Sequence, residues 1–356
     1  MELGGLHNAV GRLQTQGMAL KEIRIVGGGI AGLSLGVALR QSGLPVRVFE
    51  TVPYPRHKVC GEFLSGIGQA EIAALGISDT LASVPRHHET VWFDGARRMF
   101  HARLPEPAYG LSRHLFDQKL QERFQHLGGA LELGGRYAGP LAKEGVVVAA
   151  GRVLRPSSWV GLKAHYADLS LGADLEIHLG RNAYVGLARV ESGLVNVSGL
   201  FWRNLPLKGD LDALPQAMFE AGLETLAQRV REAAKSTGSQ KGVSGLVWGW
   251  QPSGSEELRI GDAAAMIPPL TGNGMSMALS GALLAAPILA QWSRGQCSWA
   301  VARQQVRRSL RARFAGRLRW ARVLQAMLLH PAGRYVCEHL LQNQWVSFET
   351  LYRKVR

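Results

Sequence analysis

The stretch Glu22-Ile-Arg-Ile-Val-Gly-Gly-Gly-Ile-Ala-Gly32 joins an alternating, β-branched run directly to a cluster of glycines. The alternation predicts a strand over 22–26, and the glycines predict the tight turn that ends it. Helical spacing follows over 30–42, and a second β-branched run follows over 46–50. Residues 22–50 therefore form one predicted βαβ unit of about 30 residues, and such a unit requires a parallel sheet.

The glycines of this turn fit the spacing G-x-G-x-x-G. Between a strand and a helix, they permit the tight turn, the close approach of a pyrophosphate and the packing of helix on strand. Glu50 ends the second strand eighteen residues after Gly32, where an acid can bind the ribose of adenosine. An acid here favours FAD or NAD over NADP, although a glycine-rich turn without a ligand has the same spacing. The predicted nucleotide-binding residues are Gly27, Gly29, Ile30, Ala31, Gly32 and Glu50.

A second signal lies in the stretch Arg259-Ile-Gly-Asp-Ala-Ala-Ala-Met-Ile-Pro-Pro-Leu-Thr-Gly-Asn-Gly274. A short strand ends in Gly-Asp, and a proline-braced loop then presents glycines at the start of a long helix. The Asp262 carboxylate can accept a ribityl hydroxyl, and amides at a helix N-terminus can stabilise negative charge on a reduced flavin. The candidate residues of this stretch are Asp262, Pro269, Gly272, Asn273 and Gly274.

These two elements resemble the FAD-dependent oxidoreductases with the p-hydroxybenzoate hydroxylase fold, and specifically their geranylgeranyl-reductase-like branch. A third element, Pro55-Arg-His-Lys-Val-Cys-Gly-Glu62, is similar to the P-x-x-K-x-C-G element of that branch. The resemblance covers residues 22–322, with the three elements in the expected order. It implies FAD as the cofactor and NADH or NADPH as a possible electron donor.

The resemblance also implies roles for individual residues. Cys60 and Gly61 would lie beside the flavin ring, with Cys60 either acting in catalysis or gating, or serving as a small residue that lets the flavin approach. Lys58 and Arg56 would face the FAD phosphates or solvent. Arg113 resembles the arginine that opens the helix lying along FAD in these enzymes.

The substrate implied by the resemblance is a hydrophobic metabolite, such as an isoprenoid or an alkylated polyketide. The hydroxylases commonly carry an Asp-Gly pair where this chain has Ala149-Ala-Gly-Arg152, and that pair is linked to FAD and NADPH binding. We therefore favour reductase-type redox chemistry at a carbon–carbon bond over the alternative, oxygen insertion by a monooxygenase.

The predicted fold class is a mixed α/β and α+β structure. A Rossmann-like FAD- or NAD(P)-binding domain is interleaved with an antiparallel substrate domain and is followed by a helical C-terminus. The expected divisions are 21–85, 111–155 and 251–295 for the FAD-binding parts, 86–110 and 156–250 for the substrate domain, and 296–356 for the basic helical region.

The net charge of +14 is concentrated near the C-terminus. Twelve Lys and Arg face two Glu over 301–356, which leaves +10 there and +4 elsewhere. Basic residues alternate with apolar ones at helical spacing over 303–322, so the helix could contact an anionic membrane or pack on the FAD domain with its arginines in water. A nucleic-acid-binding protein with a structural flavin is a further alternative, but no RNA-binding motif is present.

The cysteines Cys60, Cys297 and Cys337 lie far apart and form no C-x-x-C pair, so neither a disulfide framework nor a zinc site is indicated. The histidines show no metal-binding spacing either. We expect a cytoplasmic protein, with peripheral contact at the inner membrane face as an addition. Residues 1–20 lack the pattern of a signal peptide, and 275–292 reads as a buried helix rather than a membrane span.

Overall fold

The structure is a computed structural model that describes residues 19–153, 155–202, 212–252, 254 and 256–356. The extension predicted over 1–20 lies outside these residues except for its last two positions. Over the described ranges the chain forms sixteen strands and ten helices, most of the strands lying in two sheets. This architecture confirms the predicted mixed α/β fold with a helical C-terminus.

The secondary-structure elements follow in chain order. The strands are β1 (Ile23–Val26), β2 (Val46–Glu50), β3 (Phe63–Leu64), β4 (Arg86–Asp94), β5 (Arg97–Gly110), β6 (Ala130–Leu133), β7 (Val146–Val148), β8 (Trp159–Ala167), β9 (Leu175–Gly180), β10 (Ala183–Arg189), β11 (Val195–Trp202), β12 (Ala234–Lys235), β13 (Lys241–Val243), β14 (Gly249–Trp250), β15 (Leu258–Arg259) and β16 (Ala265–Met266). The helices are α1 (Ile30–Gln41), α2 (Gln69–Leu75), α3 (Ser78–Ala82), α4 (Arg113–His126), α5 (Ala213–Glu220), α6 (Glu224–Glu232), α7 (Gly274–Ser293), α8 (Trp299–Leu329), α9 (Pro331–Gln342) and α10 (Phe348–Lys354).

The first sheet is parallel and has the strand order β15-β7-β1-β2-β6. Its strands come from three separate parts of the chain, and strands of the second sheet lie between them in sequence. Helix α1 is buried along nearly its whole length, because it is enclosed by the sheet, α4 and α7. The glycine turn between β1 and α1 is thereby held at the carboxyl end of the parallel strands, the usual ligand edge of such a sheet.

The second sheet is mostly antiparallel, with the order β12-β8-β11-β10-β9-β4-β5-β3 and with β13 also paired to β8. One face packs on α5 and α6 through residues such as Leu162, Leu187 and Val197, which share a core with Met218 and Val230. The opposite face lies toward the C-terminal helices, because Ile177 and Tyr184 of this sheet share a core with Leu328 of α8 and Cys337 of α9. This arrangement leaves a space between the sheet and those helices.

The basic helix predicted near the C-terminus is α8, and its apolar face is buried. Val306, Leu310, Phe314 and Leu318 belong to the same core as β1, β2 and α1, so this face cannot insert into a bilayer. On the same helix, Arg303 forms an ion pair with Glu256. The helix therefore packs on the first sheet and α1, but the expectation that its arginines all lie in water is wrong for Arg317, which is buried and donates to the Arg356 carbonyl.

Two local features of the second part of the chain depart from what its periodicity indicates. Helical periodicity runs through residues 212–235, but the chain forms two helices there, α5 and α6, because it turns at Gly222, whose φ is 77°. Strand β8 was not predicted, since its seven central residues are all buried and polar residues alternate with apolar ones only around Lys163 and His165.

Helix α7 is the one described helix long and apolar enough to cross a membrane. Pro287 lies within it, and 61% of its most apolar window is buried inside the molecule. The helix contacts α1 on one side and α8 on the other. Its apolar character is accounted for by this packing, as predicted for residues 275–292.

Candidate functional site

The glycines after β1 are required for different reasons. A Cβ on Gly27 would lie 2.4 Å from the Ala149 carbonyl oxygen, and one on Gly32 would lie 1.9 Å from the Gly27 carbonyl oxygen. A Cβ on Gly29 would meet only the Lys58 Nζ, at 3.5 Å, and the Arg113 Nη2, at 3.8 Å. Packing therefore excludes side chains at the first two positions, whereas the space over Gly29 is bounded by two cationic groups.

These two cations converge on the N-terminus of α1, where the first-turn amides have no acceptor within the helix. Arg113 makes a bidentate pair with the buried Asp117, at 2.7 and 2.8 Å, and the Lys58 Nζ lies 3.4 Å from the same carboxylate. Burial, together with the charge of Arg113, lowers the pKa of Lys58 to about 8. One carboxylate thus balances two cations beside a helix N-terminus, which is an arrangement suited to binding a phosphate group.

Glu50 is held at the end of β2 by several donors. Its Oε2 accepts the Gly28 N–H at 2.9 Å and Arg56 at 2.6 Å, and its Oε1 accepts the Thr51 N–H at 2.8 Å. Burial alone would raise the pKa of Glu50, but its bond to Arg56 and the Val52 N–H lower it to about 2. The Glu50 carboxylate is therefore ionised and can accept a hydrogen bond from a ribose hydroxyl. Arg56 pairs with Glu50 and does not border the space over Gly29.

Asp262 follows β15 in a short 3-10 turn, Gly261–Ala263. Gly261 has a φ of 58°, and a Cβ there would lie 2.7 Å from the Ala31 Cβ. Asp262 is exposed. Loss of hydration raises the pKa of its carboxyl, and the charges of Arg113 and Arg152 oppose that rise. The acid predicted to bind a ribityl hydroxyl thus lies in the same electrostatic environment as Arg113.

The loop after Asp262 contributes to an apolar pocket. Pro269 and Gly272 line it together with Cys60 and Gly61, so both predicted flavin-ring elements meet at one end of the pocket. Asn273 is buried, and its side-chain amide donates to the Val355 carbonyl. It is not among the residues that line the pocket. Gly274 begins α7.

The pocket extends from this end across the second sheet to the C-terminal helices. It has about 1400 Å³ of empty space, its open mouth included. Most of its wall is aliphatic or aromatic, which suits a hydrophobic ligand. Wall residues from the sheet include Trp92, Phe100, Leu175, Ile177, Tyr184 and Leu200, and those from the helices include Leu324, Leu328, Leu341, Phe348 and Leu351.

Cross-strand pairing shows that the same face of the sheet also carries a polar end. Paired residues project to the same side of a sheet. The apolar residues at β4, β9 and β10 face the pocket, and polar residues continue the rows at β11 and β8. One row is Trp92, Ile177, Gly186, Ser198 and Lys163, and its neighbour is Thr90, Leu175, Ala188, Asn196 and His165.

The loop that carries Cys60 covers this polar end through Glu62. One Glu62 oxygen accepts the Lys163 Nζ at 2.9 Å and the Arg113 N–H at 2.9 Å, and the other lies 2.5 Å from the His165 Nε2. Burial would raise the pKa of Glu62, but His165 and Lys163 lower it. Glu62 therefore joins the cofactor loop, the start of α4 and the second sheet in one buried ionic cluster.

Sequence reasoning missed this cluster. Glu62 ends the third motif, but no role was predicted for it. Lys163 and His165 lie in β8, the strand that was not predicted. Their alternate spacing among apolar residues was the available signal, since charged residues at inward positions of a buried strand need a buried partner.

Cys60 lines the pocket, and its carbonyl accepts the Asn196 amide at 3.0 Å. Burial raises the pKa of its thiol, so the thiolate is disfavoured. The surroundings of Cys60 therefore match a pocket wall better than a nucleophile.

These features fit FAD. The residues over Gly29 form a cradle for a pyrophosphate, Glu50 lies where the adenosine ribose is recognised, and the Asp262 carboxylate interacts electrostatically with Arg113 of the cradle. The apolar pocket begins where the residues predicted to flank the flavin ring come together.

Comparisons with known proteins agree with this fold. Residues 25–56 match the model of the NAD(P)-binding Rossmann-like domain family. No curated protein matches the chain by sequence.

Solved structures with the same fold include PqsL of Pseudomonas aeruginosa in complex with 2-aminobenzoylacetate, with a TM-score of 0.71, 15% identity and coverage of 90% of this chain and 100% of that one. PqsL is described as a probable FAD-dependent monooxygenase. A flavin-dependent brominase has a TM-score of 0.73 and 18% identity, with coverage of 94% of this chain and 93% of that one. The myxobacterial chondrochloren halogenase CndH, a variant of the FAD-dependent halogenases, has a TM-score of 0.70 and 16% identity, with coverage of 92% of this chain and 90% of that one. At these identities the likeness establishes the fold.

Proposed function

We propose that this protein is an FAD-dependent oxidoreductase that acts on a hydrophobic small molecule. One observation carries the proposal: an apolar pocket begins at Cys60–Gly61 and Pro269–Gly272, beside a cleft where Lys58 and Arg113 flank the start of α1. A dinucleotide site and a substrate pocket therefore adjoin, as transfer of electrons between cofactor and substrate requires.

In this proposal the chain's residues divide the binding of FAD among them. Lys58, Arg113 and the first-turn amides of α1 hold the pyrophosphate, Glu50 binds the ribose and Asp262 binds the ribityl chain. When bound, FAD supplies the redox chemistry. The protein orients it, and the amides at the start of α7 favour negative charge nearby.

The pocket supports a hydrophobic substrate such as an isoprenoid or an alkylated polyketide. Its wall excludes water from the reacting end, and its length allows an extended apolar chain to lie against the sheet. This preference distinguishes the protein from oxidoreductases that bind small polar acids, whose sites need charged residues in the substrate wall.

Two reaction types are supported by different observations. Reduction or oxidation of a carbon–carbon bond, as in the geranylgeranyl-reductase-like enzymes, is supported by the third motif and by the absence of an Asp at Ala149–Ala150. Oxygen insertion is supported by the fold shared with PqsL. In both cases we propose NADH or NADPH as the electron donor.

The test begins with the absorption spectrum of the purified protein and its anaerobic reduction by NADH or NADPH. We expect one non-covalent FAD per chain. Dithionite-reduced enzyme is then mixed anaerobically with candidate hydrophobic substrates. Product formed without oxygen assigns the reductase type, whereas product that appears only with oxygen and carries an atom of labelled dioxygen assigns the monooxygenase type. A protein that binds no FAD would overturn the proposed function.

A further inference from the structure

An exposed aromatic cluster lies on the outer side of α9 and the turn after it. Tyr335 and Trp345 are 70% and 71% exposed, the highest values among the large hydrophobic residues that the structure describes as exposed. His339 joins them, with ring centroids 6.1 Å from Tyr335 and 5.6 Å from Trp345. Val336 is exposed beside them. We call these four residues the aromatic patch.

The patch is the outer side of a wall whose inner side faces the substrate pocket. Cys337 and Leu341 of α9 line the pocket, as does Phe348 at the start of α10. The patch residues of α9 lie on its opposite face and are exposed. The helix is held in this orientation by Arg334, which pairs with Asp94.

Basic groups lie on the elements next to the patch, where Arg353 pairs with Glu349 and the Lys354 Nζ lies 5.8 Å from the Trp320 ring centroid. Arg353 and Lys354 are exposed at the end of α10, a helix about 10 Å long by its seven residues, and Trp345 lies three residues before that helix begins. Arg97, which pairs with Glu338 of α9, is also largely exposed. The patch therefore combines amphipathic aromatic rings with positive charge, in a protein whose net charge is +14.

We propose that the aromatic patch docks the protein on an anionic lipid surface and places the outer wall of the pocket against the membrane. Trp and Tyr favour the interface between lipid and water, and basic residues beside them are attracted to anionic headgroups. This surface differs from the α8 face considered from sequence, which is buried. This proposal goes beyond the proposed function and does not need bound FAD. The hydrophobic substrate proposed above would be found in a membrane, which gives a reason for the enzyme to lie on its surface.

A lipid surface fits the patch better than a second copy of the chain. Two copies meeting through the patch would bring Arg353 and Lys354 of each close to the same groups of the other, and like charges at an interface oppose association. An anionic membrane instead complements them.

The test measures co-sedimentation of the full-length protein with phosphatidylcholine vesicles and with phosphatidylcholine–phosphatidylglycerol vesicles. We expect binding to the anionic vesicles only, weakened by salt. Arg353→Gln with Lys354→Gln should reduce binding by about thirtyfold, and Tyr335→Ser with Trp345→Ala by roughly tenfold or more. Thermal unfolding and FAD content, measured on every variant, show whether it is folded.

Matched controls come from elements that carry no part of the aromatic patch. Phe219 is a half-exposed aromatic residue on α5, and Arg231 and Lys241 are exposed basic residues. Phe219→Ser and the double variant Arg231→Gln with Lys241→Gln should bind vesicles as the unaltered protein does. In addition, tryptophan fluorescence should shift toward the blue on binding, and Trp345→Phe should bind while losing most of that shift.

Three outcomes would overturn the proposal: no binding to anionic vesicles, equal loss in the control and patch variants, or a concentration-dependent dimer that the patch variants abolish. The last outcome would assign the patch to a second copy. A protein that binds vesicles but no FAD would refute the proposed function and leave this inference standing.

Discussion

The Lys163 ammonium lies 2.9 Å from the Glu62 carboxylate, and neither side chain has exposed surface. The two residues belong to different parts of the fold, since Glu62 follows the cofactor loop and Lys163 lies in the second sheet. Glu62 also accepts the Arg113 N–H at the start of α4. The Glu62 carboxylate therefore connects the second sheet to the start of α4 through buried contacts.

Breaking this pair should destabilise the protein strongly. Lys163→Met or Glu62→Gln leaves a charged partner buried without its counter-ion, which costs about 3–5 kcal/mol in the free energy of unfolding. Chemical denaturation measures this. Lys119→Met removes the exposed pair with Glu122 and should cost under about 1 kcal/mol. Equal effects at the two sites would refute the structural role of the cluster.

A side chain at Gly29 should remove FAD without unfolding the protein. The nearest atoms to a Cβ there are the ends of flexible side chains, Lys58 and Arg113, so Gly29→Val should fold but exclude the pyrophosphate. Flavin absorbance per chain and thermal unfolding give the two readouts. Gly316→Ala on α8, where nothing lies within 4 Å, should keep full flavin content. A flavin-loaded Gly29→Val protein would refute the site.

Asp262→Ala should also yield largely apo protein, for a different reason. The substitution removes the acceptor proposed for the ribityl chain, while Arg113 keeps its pair with Asp117. Isothermal titration of the apo protein with FAD measures the loss, with Asp79→Ala on the surface helix α3 as the control. FAD affinity that is unchanged in Asp262→Ala would exclude this acid from the site.

The affinity for FAD should fall as the pH rises through about 8. The free protein has a Lys58 pKa lowered to about 8 from 10.5, and bound pyrophosphate favours the protonated ammonium. Binding above pH 8 therefore takes up a proton, so the dissociation constant should rise by up to about tenfold per pH unit. Titrations from pH 7 upward test this. Lys58→Met should bind more weakly and lose this dependence; an unchanged pH profile would contradict the assignment.

Cys60→Ala should retain FAD and lose most turnover. The side chain forms the pocket wall at the end where the cofactor residues meet, and its removal leaves the substrate less well positioned. Because burial raises the pKa of the thiol, Cys60→Ser, which nearly preserves the shape, should keep more activity than Cys60→Ala. Inactivity of both variants with full FAD content would instead indicate thiol chemistry.

Local sequence determined the βαβ unit and the glycine-rich turn of this protein. The βαβ unit over 22–50, the spacing of Gly27 to Gly32 and the acid at Glu50 depend on backbone constraints that act between near neighbours, and the structure forms β1, α1 and β2 within about one residue of the predicted bounds. Tight turns and helical periodicity are visible in a sequence because they involve residues a few positions apart.

Tertiary structure alone decided the remainder. Glu62 meets Lys163 and His165 from about a hundred residues away, and no local pattern specifies which strands pair or which faces meet. The same holds for α8, where one amphipathic pattern suited both a bilayer and a protein core, and the core covered it. Sequence periodicity shows that a face is apolar, but the partner that buries it is set by long-range packing.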